Sequence, residues 1–286
     1  MLKGKRKLSF LVVGLVYLFS ILVGLWAYYL LSPLVNLYLA IFLADVCATV
    51  LCFIFSLLFN NASVYDPYWS VQPIVILPLL ATTVQMTAFK WVLLIVVCLW
   101  GIRLTANWAY TFYDLTYQDW RYTMLKEKTG KLYPIINFIG IHLVPTIVVY
   151  LVITPGISAL VSDQVTSPFA YIGLAISLGA TILQCVADIQ MHRYRKNKKT
   201  PFIRNGVWKY SRHPNYLAEI LMWWGIGIAC TIAVPTSWYL LIGALANTLL
   251  FTFVSIPMAE KRQGKKEGFE EYKKETNYLL PFKIKR

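Results

Sequence analysis

Between Leu183 and Trp224 the chain carries polar side chains at spacings that a helix would gather onto one side. Gln184, Asp188, His192 and Arg195 follow at intervals of four, four and three, so they share one helical face. That face offers an amide, a carboxylate, an imidazole and a guanidinium in sequence, a ladder that a purely structural helix end does not need. A second helix is expected to begin at Pro214, because a first-turn proline lacks an N–H that would have no partner there anyway. Asn215 and Glu219 lie one turn apart on it, directly after Arg212 and His213. Polar groups at a helix N-terminus beside two basic residues suit an anion and a ribose. Taken singly, Arg212 reads as a charge that sets topology and His213 as a loop contact. Together, the set favours ligand binding.

Other ionisable groups stand in apolar surroundings, where each is a functional candidate by default. Asp45 stands alone among small and apolar neighbours, and a structural hydrogen bond between helices is an equal reading. Arg103 would either reach back to the membrane surface or pair with a carboxylate such as Asp66. Asp66 precedes Pro67 and reads either as a helix cap or, if burial raises its pKa, as an acid. His142, His192 and His213 do not fall at metal-ligand spacings. The five cysteines, Cys47, Cys52, Cys98, Cys185 and Cys230, form no Cys-x-x-Cys pair and read as small packing residues, so no metal is expected.

The elements that must hold these groups are apolar helices. Of the 286 residues, 58% are hydrophobic and only 14% charged, against about 25% charged in soluble domains. The apolar residues come in runs of about twenty, enough to span a bilayer. Eight spans are predicted, over 8–31, 37–59, 71–88, 90–112, 134–154, 168–189, 215–233 and 236–256, with seven as the alternative because the third and fourth are so closely joined. The fold class is thus all-α, a polytopic helical membrane bundle forming one domain, 1–286. With the N-terminus in the cytoplasm, the inside segments hold 25 of the 27 lysines and arginines, the exceptions being Lys90 and Arg103. Both termini are therefore expected inside. The net charge of +14 is explained by topology and by anionic membrane lipid, and no nucleic acid partner is expected.

Four segments carry a resemblance. Tyr210 to Glu219, Trp100-Gly-Ile-Arg-Leu, Asp119-Trp-Arg-Tyr122 and Glu260-Lys-Arg262 together resemble the steroid 5-alpha reductase-like membrane proteins of the DUF1295 type. These are related to sterol C14 and C24 reductases and more distantly to isoprenylcysteine methyltransferases. The resemblance covers about residue 60 to the end and leaves two additional helices in 1–59. It implies an NADPH-dependent reductase of an enone in a hydrophobic, lipid-like substrate. It also implies that Gln184, Asp188, Arg195, Asn215 and Glu219 contact the cofactor, with Trp223 as a wall and Arg212 and His213 near its phosphates. In steroid reductases a Gln-Glu pair and a Tyr hold the substrate carbonyl. This chain has Tyr65-Asp66 near the first position and Trp100 in place of the Tyr, so Asp66 and Trp100 are the catalytic candidates. Tryptophan donates one N–H and transfers no proton. Two other readings stand beside this one. They are an S-adenosylmethionine-dependent methyltransferase of a lipid or prenylated thiol, and a non-enzymatic lipid-binding membrane protein. No GxGxxG segment is present, so a soluble dinucleotide-binding fold is not expected.

Overall fold

The computed structural model describes residues 4–164 and 166–282. Among them there is no strand; the chain is a succession of helices. They are α1 Arg6–Leu31, α2 Leu37–Leu58, α3 Tyr68–Ala81, α4 Ala88–Thr111, α5 Trp120–Thr129, α6 Tyr133–Ile136, α7 Val144–Val161, α8 Ala170–Lys196, α9 Pro214–Ala233, α10 Ile242–Leu250, α11 Ile256–Gln263 and α12 Phe269–Glu275. Wider π-turns at Asn137–Leu143 and Phe251–Ser255 join α6 to α7 and α10 to α11. Among the described residues, seven helical stretches are long and apolar enough to cross a bilayer, and the protein is a polytopic helical membrane protein.

The predicted span 71–88 differs from what is observed. Its helix, α3, has fourteen residues and ends at Ala81. At 1.5 Å per residue it is about 21 Å long, shorter than the ~30 Å hydrocarbon layer. The stop has a local cause: both the N–H and the hydroxyl of Thr83 turn back onto the Leu80 carbonyl, at 3.0 and 2.8 Å. The span predicted over 134–154 is part of a longer helical run, Trp120–Val161.

Contacts group the chain into two compact units, Met1–Leu79 with Gly101–Tyr150, and Leu80–Trp100 with Leu151–Arg286. In the first unit α1 packs on α2 through small residues. Ala40, Ala44, Ala48, Cys52 and Ser56 repeat at intervals of four and are all buried, which makes a smooth ridge. The opposite face of α1, with Leu8, Leu11, Leu15, Leu18 and Leu22, is exposed, as a lipid-facing surface should be. In the same unit, Ser70 and Thr105 hydroxyls meet at 2.8 Å, and a Cβ on Gly101 would fall 2.8 Å from the Ser70 carbonyl. These contacts make α3 and the second half of α4 an antiparallel hairpin.

In the second unit α8 and α9 approach still more closely. A Cβ on Gly173 would lie 2.5 Å from the Gly225 carbonyl and 2.7 Å from the Ala229 nitrogen. The Ser177 hydroxyl donates across the pair to the Met222 carbonyl at 2.8 Å. Small residues four apart on both helices permit this approach. The pair is the rigid frame on which the polar ladder is mounted.

Candidate functional site

Glu219 is the centre of the second unit's polar groups. The frame puts the α8 face carrying Gln184 against the α9 face carrying Glu219, and the Gln184 amide nitrogen donates to Glu219 Oε2. The Trp100 indole donates to the same oxygen at 2.9 Å, and Trp223, one turn further along α9, donates to Oε1 at 2.9 Å. The two indoles meet edge to face, with centroids 4.8 Å apart. Both tryptophans and Gln184 are buried, while Glu219 itself is half-buried, so three neutral donors hold a carboxylate that stays partly accessible. Neutral donors fix its orientation and bring no countercharge of their own. Gln184 Oε1 remains buried with no hydrogen-bond partner, an acceptor that an incoming N–H or O–H would satisfy.

Asn215 precedes Glu219 by one turn and is partly buried, as is Asp188, one turn beyond Gln184 on α8. Arg195, two turns further along that helix, is exposed. The structure thus brings Trp100, Gln184, Glu219 and Trp223 into direct contact, and leaves Asp188, Asn215 and Arg195 along the same two helices.

Arg212 and His213 are committed differently. Arg212 forms a two-pronged ion pair with Glu260, at 3.0 and 3.2 Å, and donates to the carbonyls of Lys273 and Thr276. His213 Nε2 meets the same Glu260 at 2.7 Å. The Arg212 N–H also bonds the Asn277 carbonyl at 3.0 Å, and the Tyr272 hydroxyl bonds the Trp208 carbonyl. These contacts fasten α12 and the chain after it onto the loop between α8 and α9. The base of that loop is tied to α8, where Gln190 Oε1 accepts from the Val207 N–H at 3.0 Å. Gly206 suits this place twice over, since a Cβ there would collide with Gln190 Oε1 and its φ is positive, 61°.

Asp66 belongs to the first unit. It follows a short 3-10 turn, Ala62–Tyr65, and accepts from the Tyr122 hydroxyl at 2.6 Å. Burial raises its carboxyl from 3.8 to about 6, against the opposing pull of Arg121 and of the Tyr122 hydrogen bond. Tyr122 is held where α5 begins: Asp119 caps that helix through the Arg121 N–H at 2.9 Å and pairs with the Arg121 side chain at 2.8 Å.

The first unit holds a further polar centre, in which one of the two readings of Asp45, a hydrogen bond between helices, is present with partners that its sequence neighbours did not reveal. Asp45 does not stand alone: Tyr68 donates to its Oδ1 at 2.8 Å, and Gln72 donates to its Oδ2. Tyr68 stacks on Tyr65, whose hydroxyl meets Thr146 at 2.7 Å, and Thr146 meets Thr49 at 2.9 Å. The available signal was Gln72, an uncharged but fully polar side chain inside an apolar run.

The family described as "Protein of unknown function (DUF1295)" matches residues 52–276. An uncharacterised protein of Schizosaccharomyces pombe is 26% identical over 149 residues, 44% of this chain and 43% of that protein. The 3-oxo-5-alpha-steroid 4-dehydrogenase 1 of Macaca fascicularis is 30% identical over 122 residues, 42% of this chain and 43% of its own length. The human protein of that name is also 30% identical, over 42% of this chain and 44% of its own. The chain therefore spans less than half the length of these curated relatives. No solved structure matches it.

Proposed function

From the premise that this chain belongs to the DUF1295 family, we propose that it is a membrane reductase that uses NADPH to saturate a carbon–carbon double bond conjugated to a carbonyl in a lipid-like, sterol-like or isoprenoid substrate. The observation that carries the reading is the Glu219 centre. A half-buried carboxylate fixed by Gln184, Trp100 and Trp223, beside the bare Gln184 Oε1, offers acceptors to a carboxamide and a ribose. The donor set therefore fits a nicotinamide nucleotide. When bound, that nucleotide supplies the hydride.

The protein's own groups have separate tasks. Glu219, Gln184 and Asn215 orient the amide and ribose, and Asp188 extends the set along α8. The one N–H of Trp100 is given to Glu219, so Trp100 acts as a positioning residue for that carboxylate. Arg212 and His213 hold the tail through Glu260, which leaves the phosphates chiefly to exposed Arg195 and its basic neighbours at the end of α8. Asp66, whose carboxyl burial raises to about 6, can hold a proton in mildly acidic conditions and deliver it to the substrate side. Both termini lie in the cytoplasm, which requires an even number of crossings and so counts α3, in its hairpin with α4, as a crossing. Single-cysteine labelling in sealed cells tests this, and outside labelling at position 198 contradicts it.

Calorimetric titration of the detergent-solubilised protein with NADPH, NADH and S-adenosylmethionine tests the cofactor. The expected order places NADPH first, by about tenfold or more over NADH, from the charge-assisted bonds to its extra phosphate. Tighter binding of S-adenosylmethionine would transfer the site to methyl-transfer chemistry.

A further inference from the structure

A surface cavity of about 270 Å³ lies within the first unit, lined by the end of α2, by Asn60 and Asn61 after it, and by the turn from α5 into α6. Its charged lining residues are two lysines, Lys126 and Lys131, with no carboxylate among them. Lys126 gives one proton to Asn60 Oδ1, at 2.7 Å, and has others to offer. Lys131 is exposed.

Two further lining residues end in buried polar atoms without a hydrogen-bond partner, the Tyr133 hydroxyl and Asn137 Oδ1. Tyr133 is 8% and Asn137 2% exposed, so water does not readily make up the deficit. The Asn137 amide is oriented, because its nitrogen donates to the Ser56 hydroxyl at 3.2 Å. Its oxygen is therefore a fixed, bare acceptor. Asn137 also opens the π-turn that interrupts the α6–α7 helix, and such wide turns concentrate at functional sites. Asn60 is, among the described residues, the one non-glycine with a positive φ, 52°, and it lines the cavity together with Gly130, at φ 51°. It closes α2 as a left-handed cap, with the Asn60 and Asn61 N–H groups returned to the Leu57 and Ser56 carbonyls at 3.0 and 2.9 Å, so this edge of the cavity is firmly shaped.

The chemistry of a fitting ligand follows. Two ammonium groups call for an anion, best a phosphate. The bare amide oxygen calls for a hydrogen-bond donor, and the phenol accepts or donates. The volume is below that of ordinary drug-sized pockets, about 300–1,000 Å³, so the bound group is small. Leu58, Leu132 and Ile135, each adjacent in sequence to a lining residue, are exposed and apolar, as at a lipid-facing surface. We propose that this cavity binds a phosphate ester bearing a free hydroxyl, the chemistry of a polyol phospholipid headgroup.

The test uses the purified full chain. Native mass spectrometry measures the affinities of phosphatidylglycerol, phosphatidic acid and phosphatidylcholine, and thermal stabilisation by soluble glycerol phosphate is measured in parallel. Phosphatidylglycerol is expected to bind about tenfold more tightly than phosphatidylcholine. Lys126→Gln with Lys131→Gln should abolish that preference, whereas Lys199→Gln, at an exposed lysine of the second unit, should leave it intact. Asn137→Leu should remove the preference for phosphatidylglycerol over phosphatidic acid, since only the former carries the hydroxyl. If glycerol phosphate stabilises the protein and the lipid does not, the ligand is a soluble ester of the same chemistry; the reverse identifies the lipid. The proposal is overturned if neither probe exceeds the phosphatidylcholine control, or if the preference survives in the double lysine variant.

Discussion

The two units hold a carboxylate in the same way with different donors. In the first, Asp45 accepts from the Tyr68 hydroxyl and the Gln72 amide. In the second, Glu219 accepts from the Trp100 and Trp223 indoles and the Gln184 amide. Each glutamine gives its N–H to the acid and keeps a buried, bare oxygen, Gln72 Oε1 and Gln184 Oε1. The difference lies in what the donors can do. A phenol can pass its proton on, whereas an indole can only hold its own. The donors of the second unit can therefore only fix their carboxylate, whereas those of the first have a proton that chemistry allows them to transfer, Tyr68 beside Asp45 and Tyr122 beside Asp66. The frames differ as well: the α8–α9 contact leaves no space at Gly173, while the α1–α2 contact at Gly24 is ordinary, at 3.4 Å from its neighbours.

The frame provides the largest expected effect. Gly173→Ala should destabilise the protein by about 3 kcal/mol, because its new methyl meets backbone that cannot move aside. Gly24→Ala should change stability by less than about 1 kcal/mol, as its contacts are already at normal distance. Thermal unfolding in detergent compares them. Equal losses would erase the distinction between a rigid and a looser frame.

Next come the donors. Tyr68→Phe removes one hydrogen bond from the buried Asp45 carboxylate and Trp223→Phe one from the half-buried Glu219 carboxylate, and each should cost about 1–3 kcal/mol. Only the second should also weaken nucleotide binding, which the same thermal assay reads when NADPH is added. If Tyr68→Phe weakens binding equally, the two centres do not divide their tasks.

The smallest effect is one of pH. Folded Asp66 keeps its proton to about 6, whereas an unfolded aspartate loses it near 3.8. Its folded pKa is raised, so between these values the native state binds more protons, and stability falls as pH rises through this window and levels off above it. Asp66→Asn should flatten that part of the profile. An unchanged slope would mean that Asp66 titrates like an exposed carboxylate.

Helical spacing explains what could be read in advance. Gln184 and Glu219 stood out because each belongs to a polar series at intervals of four in apolar sequence, and the structure puts them in contact. Trp100 as a donor to Glu219 was not legible, since 119 residues separate the two and no periodicity links them. The partners of Asp45 escaped for the same reason: Tyr68 and Gln72 lie on the next helix, and a single acid has no spacing to read. The short α3 was hidden because no charged residue, glycine or proline marks its end in Thr82 to Thr87, while the Thr83 contact with Leu80 ends the helix. Arg212 and His213 show basic charge in the sequence, but their commitment to Glu260 depends on where the tail returns.

The central claim is that the Glu219 centre, and not the Asp45 centre, binds the nucleotide. NADPH affinity measured by tryptophan quenching, with thermal stability followed in parallel, tests it in Glu219→Gln and Asp45→Asn. Glu219→Gln places a second donor against the indoles and should weaken NADPH by about tenfold to a hundredfold while the helices remain folded. Asp45→Asn should leave that affinity unchanged. Wild-type affinity in Glu219→Gln, or an equal loss in Asp45→Asn, would contradict the account.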